Sequence, residues 1–300
     1  MNVLVTGGAG FLGSHLVDAL VERGYQVTVL DNLHRGRMEN LARHVGGKGK
    51  IKFVKADIRD YPAVQEVVVG MDLVYHLAAQ SNVMGAVQDI EYSFTTNVAG
   101  TLNVLRSASA CGVRRVVFAS SREVYGEPME LPVKEESPLL PKNPYGASKV
   151  AAETYCRVWH AAEGLDCLVL RFANIYGPRD EDRVIPLWLK RARTGQDLEV
   201  YGGKQVLDFV WVGYAVDALL AAADCSNDGA INVGSGQGIA LTDLAARILE
   251  VTRSSSKARF LAAREPEVVR FVADVRRMQS ILCVAVPEDA LQELNTLAAG

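Results

Sequence analysis

A chain of 300 residues, 49% hydrophobic and 22% charged, carries enough apolar material for a full core in one large or two smaller domains, which excludes a disordered chain. A net charge of −3 argues against nucleic acid or an acidic membrane surface as the main partner. Cys111, Cys156, Cys167, Cys225 and Cys283 form no C-x-x-C pair, and no apolar run is long enough for a bilayer, so a cytoplasmic protein without disulfides, metal site or membrane partner is expected.

Val3-Leu4-Val5 reads as a short buried strand. Thr6-Gly7-Gly8-Ala9-Gly10-Phe11-Leu12-Gly13 follows, then a helical run from Ser14 to Arg23. Glycines at this strand-to-helix junction fit a dinucleotide site. Gly7 allows the tight turn, Gly10 the approach of a pyrophosphate and Gly13 the packing of helix on strand, while free N–H groups at the helix start face the phosphates. Tyr25 to Leu30 is the next strand, closed by Asp31. An acid roughly 20 residues past such glycines holds the adenosine ribose, and its charge repels a 2′-phosphate. NAD is therefore expected over NADP, although Arg35 and Arg37 stand near enough to meet such a phosphate.

Gly46 to Lys50 reads as a surface turn, Ile51 to Lys55 as a strand leading to Asp57-Ile58, and Asp72 to Ala79 as a buried strand running into small residues. His76 in that strand has no second metal-type residue beside it and reads as structural. Phe94, Val98, Leu102, Leu105 and Ala108 repeat at helical spacing and predict a core helix over 91–111. Arg115 to Ser121 is a strand ending in two hydroxyls, Ser120 and Ser121; such serines cap turns or bond a substrate oxygen. A proline-rich loop runs to Asn143-Pro144-Tyr145-Gly146-Ala147-Ser148-Lys149, where Pro144 suits the first turn of a helix. Tyr145 and Lys149 share one face of it. A phenol of ordinary pKa about 10 is a poor base, and a nearby ammonium favours its ionised form. Such a pair can move the proton of a sugar hydroxyl while a cofactor moves hydride.

Cys167 to Phe172 is a further strand, and the repeated strand–helix units predict an α/β fold with a Rossmann-type, doubly wound parallel sheet. After Asn174-Ile175-Tyr176-Gly177-Pro178 the alternation changes. A charged loop (Arg179 to Arg183), a helix, a strand from Leu198 to Tyr201 and later helices predict a smaller C-terminal substrate lobe. The expected division is a cofactor domain over 1–174 with a return segment at 205–233, and a substrate lobe over 175–204 and 234–300.

Together these motifs resemble the extended short-chain dehydrogenase/reductase family, in its NAD-dependent nucleotide-sugar epimerase/dehydratase branch. The resemblance rests on residues 6–13, Asp31-Asn32, Asp57-Ile58, His-Leu-Ala-Ala at 76–79, Asn97, Ser-Ser-x-x-Val-Tyr-Gly at 120–126, Tyr145/Lys149 and Arg-Phe-Ala-Asn at 171–174. It implies Tyr145 as the proton-transfer residue, Lys149 as the lysine that bonds the nicotinamide ribose and lowers the tyrosine pKa, and Ser121 as the hydroxyl that orients the sugar. By the same resemblance Gly7, Gly10, Phe11, Leu12, Gly13, Asp31, Asn32, Asp57, Ile58, Leu77, Ala78, Ala79, Asn97, Ser120, Tyr145, Lys149 and Phe172 match cofactor positions. Ser121, Arg122, Glu123, Asn174, Val184, Ile185, Tyr201, Arg264 and Glu267 match substrate positions. Helices over 91–111 and 146–163 resemble those that pair in family homodimers.

Three departures shape the functional reading. Val206-Leu207 stands where the family usually has an arginine, so Arg264, with Arg179 or Arg183, is expected to hold the diphosphate. The chain ends soon after Arg276-Arg277, without the family's usual aromatic closing helix. Arg122 stands where dehydratases carry an acid and UDP-glucuronate decarboxylases a serine; a guanidinium cannot donate a proton at neutral pH, and it could meet a substrate carboxylate or merely a surface acid. The expected activity is NAD-dependent 4-epimerisation of a UDP-glucose/UDP-galactose type of nucleotide sugar through a transient keto-sugar. The alternatives are a UDP-glucuronate decarboxylase or dehydratase-like enzyme and, in another class, a non-catalytic NAD-binding sensor or scaffold.

Overall fold

The computed structural model describes residues 1–45, 51–225 and 229–299. The turn expected at Gly46 to Lys50 lies outside them.

The first half alternates strand and helix as the apolar pattern requires. In order these are β1 (Asn2–Thr6), α1 (Phe11–Glu22), β2 (Gln26–Asp31), β3 (Ile51–Lys55), α2 (Tyr61–Val68), β4 (Leu73–His76), α3 (Val83–Gln88), α4 (Ile90–Phe94), α5 (Thr101–Ala110), β5 (Arg115–Ser121), α6 (Pro144–Glu163) and β6 (Asp166–Phe172). The second half holds β7 (Asn174–Tyr176), α7 (Val184–Arg193), β8 (Leu198–Tyr201), β9 (Val206–Trp211), α8 (Val212–Ala222), β10 (Ala230–Val233), β11 (Gly238–Ala240), α9 (Leu241–Val251), β12 (Ala258–Leu261), β13 (Arg270–Phe271), α10 (Arg276–Ile281) and α11 (Leu294–Ala299).

Seven parallel strands form the main sheet in the order β10-β6-β5-β4-β1-β2-β3. Both faces are covered, which is why its strands read as unbroken apolar runs. Successive side chains point to opposite faces. Val3 and Val5 join Leu16 and Leu20 of α1 and Leu219 of α8 in one core cluster. Leu4 between them joins Val64 of α2, Leu105 of α5 and Ala152 of α6 in the other. Full burial of such a side chain contributes about 1.5–3 kcal/mol. The strand order reverses between β1 and β4, and there the crevice for a ligand opens at the carboxyl ends of the strands.

The smaller lobe has a four-stranded sheet in which β9 pairs β7, β11 and β13, beside a β8–β12 pair. Trp188 of α7, Phe209 of β9, Ile248 of α9 and Leu294 of α11 close its core. Two expectations shift. β9 belongs to the smaller sheet, so the chain returns to the cofactor half only with α8 and β10. After Arg276-Arg277 the chain goes on into α10, which packs on β10, and α11, which packs on α9. The helix expected over 91–111 is interrupted by a π-helical stretch at Thr95–Gly100, and Phe94 is 57% exposed, so its apolar stripe is a core only from Val98 onward.

Candidate active site

The glycine turn is built as the sequence requires. Gly7 has φ +73°, and a Cβ there would lie 2.7 Å from the Ala78 nitrogen; at Gly13 it would lie 2.2 Å from the Gly7 carbonyl oxygen. The turn thus fits against the end of β4 only without side chains. Gly10 precedes α1 without a side-chain cap, leaving the first N–H groups free for an anion. Asp31, 6% exposed, accepts from the Ala9 nitrogen (3.0 Å) and the Leu33 nitrogen (2.8 Å), which ties the turn to β2. Burial pushes its carboxyl up and these two bonds pull it down, with a net rise. Arg35 pairs with Asp182 at 2.6 Å and Arg37 with Glu181, so both guanidinium groups named for a 2′-phosphate already hold acids of the charged loop. Glycines, open helix start and buried acid together fit NAD.

A single cleft of about 1110 Å³ runs from this turn into the smaller lobe. Every cofactor and substrate position expected from the sequence lines it except two. Asp57 turns away to Arg59 (2.8 Å) and Asn32 (2.9 Å). Burial raises its pKa, but these bonds win and bring it down to about 2. Asn97, in the π-helical stretch, is buried behind the cleft. It accepts from the Gln80 nitrogen (2.7 Å) and donates to the Ser148 hydroxyl (2.8 Å), so it joins the loop after β4 to α6. Gln205, which stands in none of the motifs above, also lines the cleft with a buried Oε1 that has no partner among the described residues.

α6 carries the central pair. Asn143 caps it by accepting from the Gly146 nitrogen (2.9 Å). Gly146 lets the helix press on the turn after β5, since a Cβ there would lie 2.4 Å from the Glu123 carbonyl oxygen. This approach places Tyr145 beside Ser121 in the cleft wall, and the Ser121 hydroxyl pulls the phenol's pKa down. Burial pushes Tyr145 up to about 12, against the lowering effects of Ser121, Arg183 and Arg122. Lys149 is not among the largest influences on this value. Its ammonium donates to the Ala119 carbonyl at 2.8 Å and lies 5.9 Å from the Tyr145 ring centre. Burial brings Lys149 down to about 8, against an upward pull from Glu153. In the protein alone, desolvation therefore outweighs the ammonium effect expected from sequence. His76 is structural as read: it bridges the Thr6 and Thr101 hydroxyls at 2.7 and 2.9 Å, and burial, then Lys149, pushes it down to about 3.

One turn beyond Lys149, Glu153 anchors a network that the sequence reading missed, although Tyr145, Lys149 and Glu153 share one spacing. It accepts from Ser120 (2.5 Å) and from Arg171 at 2.7–3.2 Å, and Arg171 also donates to the Tyr125 hydroxyl (2.9 Å) and the Glu135 carbonyl (2.9 Å). Arg122 does not meet a surface acid. Its side chain is 11% exposed, with Nη2 on Glu123 (2.9 Å) and Nε on Asn174 (3.3 Å). At the far end, Arg264 stacks on Tyr201 at 3.6 Å and pairs with Glu267 at 3.2 Å. Leu207 packs in the lobe core. Arg179 reaches back to Asp18 of α1 and Arg183 to Asp180, so neither joins Arg264.

Comparison with known proteins agrees with this architecture. UDP-glucose 4-epimerase of Mycolicibacterium smegmatis is 35% identical over 290 residues, 94% of this chain and 92% of that protein. UDP-N-acetyl-alpha-D-glucosaminuronate decarboxylase of Bacillus cytotoxicus is 38% identical over 270 residues, 85% of this chain and 81% of that protein. The solved UDP-glucose 4-epimerase of Thermotoga maritima with UDP-glucose superposes with a TM-score of 0.94 at 32% identity, covering 100% of this chain and 98% of that one. Residues 3–234 match the profile of the NAD dependent epimerase/dehydratase family, and with a glycine turn and buried acid built for that cofactor, the chain belongs to this family.

Proposed function

We propose that the protein interconverts C4 epimers of a UDP-sugar, with Tyr145 as acid/base, Ser121 orienting the sugar hydroxyl and Lys149 beside the nicotinamide ribose. The observation that carries this is that Tyr145, Ser121 and Lys149 line one cleft with the glycine turn and with residues of the second lobe. NAD, when bound, supplies reversible acceptance of hydride from a sugar carbon. The chain's own groups move the proton. A phenol held near 12 by burial is protonated at neutral pH, and the nearby Ser121 hydroxyl and the charges of Arg183 and Arg122 favour its ionised form when the proton leaves. Arg264, Glu267 and Tyr201 lie at the end of the cleft suited to the diphosphate and base.

A decarboxylase is the second reading, supported by the 38% identity above. Glu123 weighs against it: its Oε1 takes Arg122 and its Oε2 takes Asn143 at 2.7 Å, and these donors lower its strength as a base. The exposed faces of α4 and α6, with Ile90, Phe94, Tyr155 and Val158, suit a homodimer of the cytoplasmic protein, and light scattering that returns only a monomer at micromolar concentration would exclude it.

Tyr145→Phe should keep its NAD, released on denaturation, and lose turnover of UDP-glucose or UDP-glucuronate by about 10²-fold or more, the scale of a lost general acid/base. Near-full turnover by this variant would refute the assignment.

A further inference from the structure

We propose that the sugar bound here carries a carboxylate next to the reacting carbon, and that Arg122 and Arg183 read it. The inference rests on the reading above, which puts the sugar against Tyr145 and Ser121.

The two arginines come from different elements. Arg122 follows β5, and Arg183 directly precedes α7. Arg183 lies 5.4 Å from the Phe11 ring centre and Arg122 5.8 Å from that of Phe271, and both line the cleft. They are also the two cations whose charge bears on the Tyr145 phenol. Each is only partly engaged. A guanidinium offers five N–H donors in a fork, and one carboxylate takes two at most. Arg122 gives Nη2 to Glu123 and Nε to Asn174, while its buried Nη1 has no partner among the described residues. Arg183 gives Nη1 to Asp180, and its side chain remains 38% exposed.

A buried charged donor without an acceptor is costly. A neutral hexose offers only hydroxyl oxygens to two guanidinium groups. A carboxylate supplies a planar acceptor matching the fork geometry of arginine. The diphosphate is a poorer explanation for this pair, because Arg264 stands on Tyr201 at the other end and Arg122 leans on Phe271 beside Asn174. Glu123 and Asp180 each occupy one side of their arginine and leave the other side of the fork.

The test compares UDP-glucuronate with UDP-glucose on the NAD-loaded full chain. Turnover is followed by product analysis, and binding by calorimetry on NAD-loaded Tyr145→Phe. UDP-glucuronate should be favoured in kcat/KM and in affinity by about 10- to 100-fold, the scale of one charge-assisted hydrogen bond. Arg122→Gln and Arg183→Gln should each shrink that ratio by about tenfold, and Arg122→Lys, which keeps the charge and loses the fork, should restore it only in part. A ratio of one or below in both turnover and binding, with UDP-glucose still epimerised, overturns the carboxylate inference and leaves the 4-epimerase standing. Conversion of UDP-glucuronate to carbon dioxide and a UDP-pentose keeps the inference and removes the epimerase. Failure to bind or turn over either sugar removes both. Should an arginine variant fail to fold, the wild-type and Tyr145→Phe ratios decide alone.

Discussion

Two arginine–glutamate pairs flank the active helix α6, and they are built differently. Arg171 and Glu153 lie beneath Lys149 with their hydrogen-bonding capacity used inside the protein. Glu153 takes three N–H contacts and the Ser120 hydroxyl, and the chain continues from Arg171 through Tyr125 to Asn232 at 2.7 Å. Arg122 and Glu123, at the cleft wall, leave one guanidinium nitrogen without a partner among the described residues. A saturated buried pair fixes geometry and offers nothing to a ligand. An unsaturated pair at a cleft wall retains desolvated charge that a bound anion can use.

The largest expected effect follows from breaking the closed pair. Arg171→Met leaves the Glu153 charge buried without its cation and should cost about 3–5 kcal/mol of stability. Urea denaturation of the NAD-loaded protein measures it. The double variant Arg171→Met/Glu153→Leu should recover much of the loss, because removing both charges leaves no lone ion. A single variant as stable as the parent would show that the network is not closed as described.

A smaller effect sharpens the comparison through pH. Lys149 sits above the closed pair at about 8 in the folded chain, against an ordinary 10.5, because burial outweighs Glu153. A folded-state value below the unfolded one means that the unfolded chain binds more protons between those pH values, so stability rises with pH there. Relative to Lys149→Met, the cofactor-free protein should gain stability from pH 8 to 10.5 and lose that gain on falling back through 8. The full window is on the order of 3 kcal/mol, at about 1.4 kcal/mol per pH unit. Parallel curves for parent and variant would mean that Lys149 is not desolvated as described.

Much of the cofactor half was legible because its signals are local. A glycine turn, an acid closing the next strand and apolar runs of strand length are properties of a few consecutive residues, and backbone sterics and burial make each of them specific. The Tyr145/Lys149 spacing was equally plain, since one helix carries both.

Tertiary structure alone decided which groups face a ligand. Asp57 and Asn97 stand in recognisable motifs, yet one turns to Arg59 and the other fastens Gln80 to Ser148. Arg179 and Arg183 looked alike in sequence, but the fold sends one to Asp18 on α1 and the other to Asp180 over the Phe11 ring. The effect of Lys149 on Tyr145 was read from charge, whereas the fold lets desolvation dominate. The order of residues determined the parallel sheet, the NAD turn and the tyrosine helix, because those depend on short-range backbone geometry. Arg171 meets Glu153 18 residues away and Arg179 meets Asp18 161 residues away, while Arg122 keeps a nitrogen without a partner among the described residues, and only packing brings such distant groups within hydrogen-bond reach.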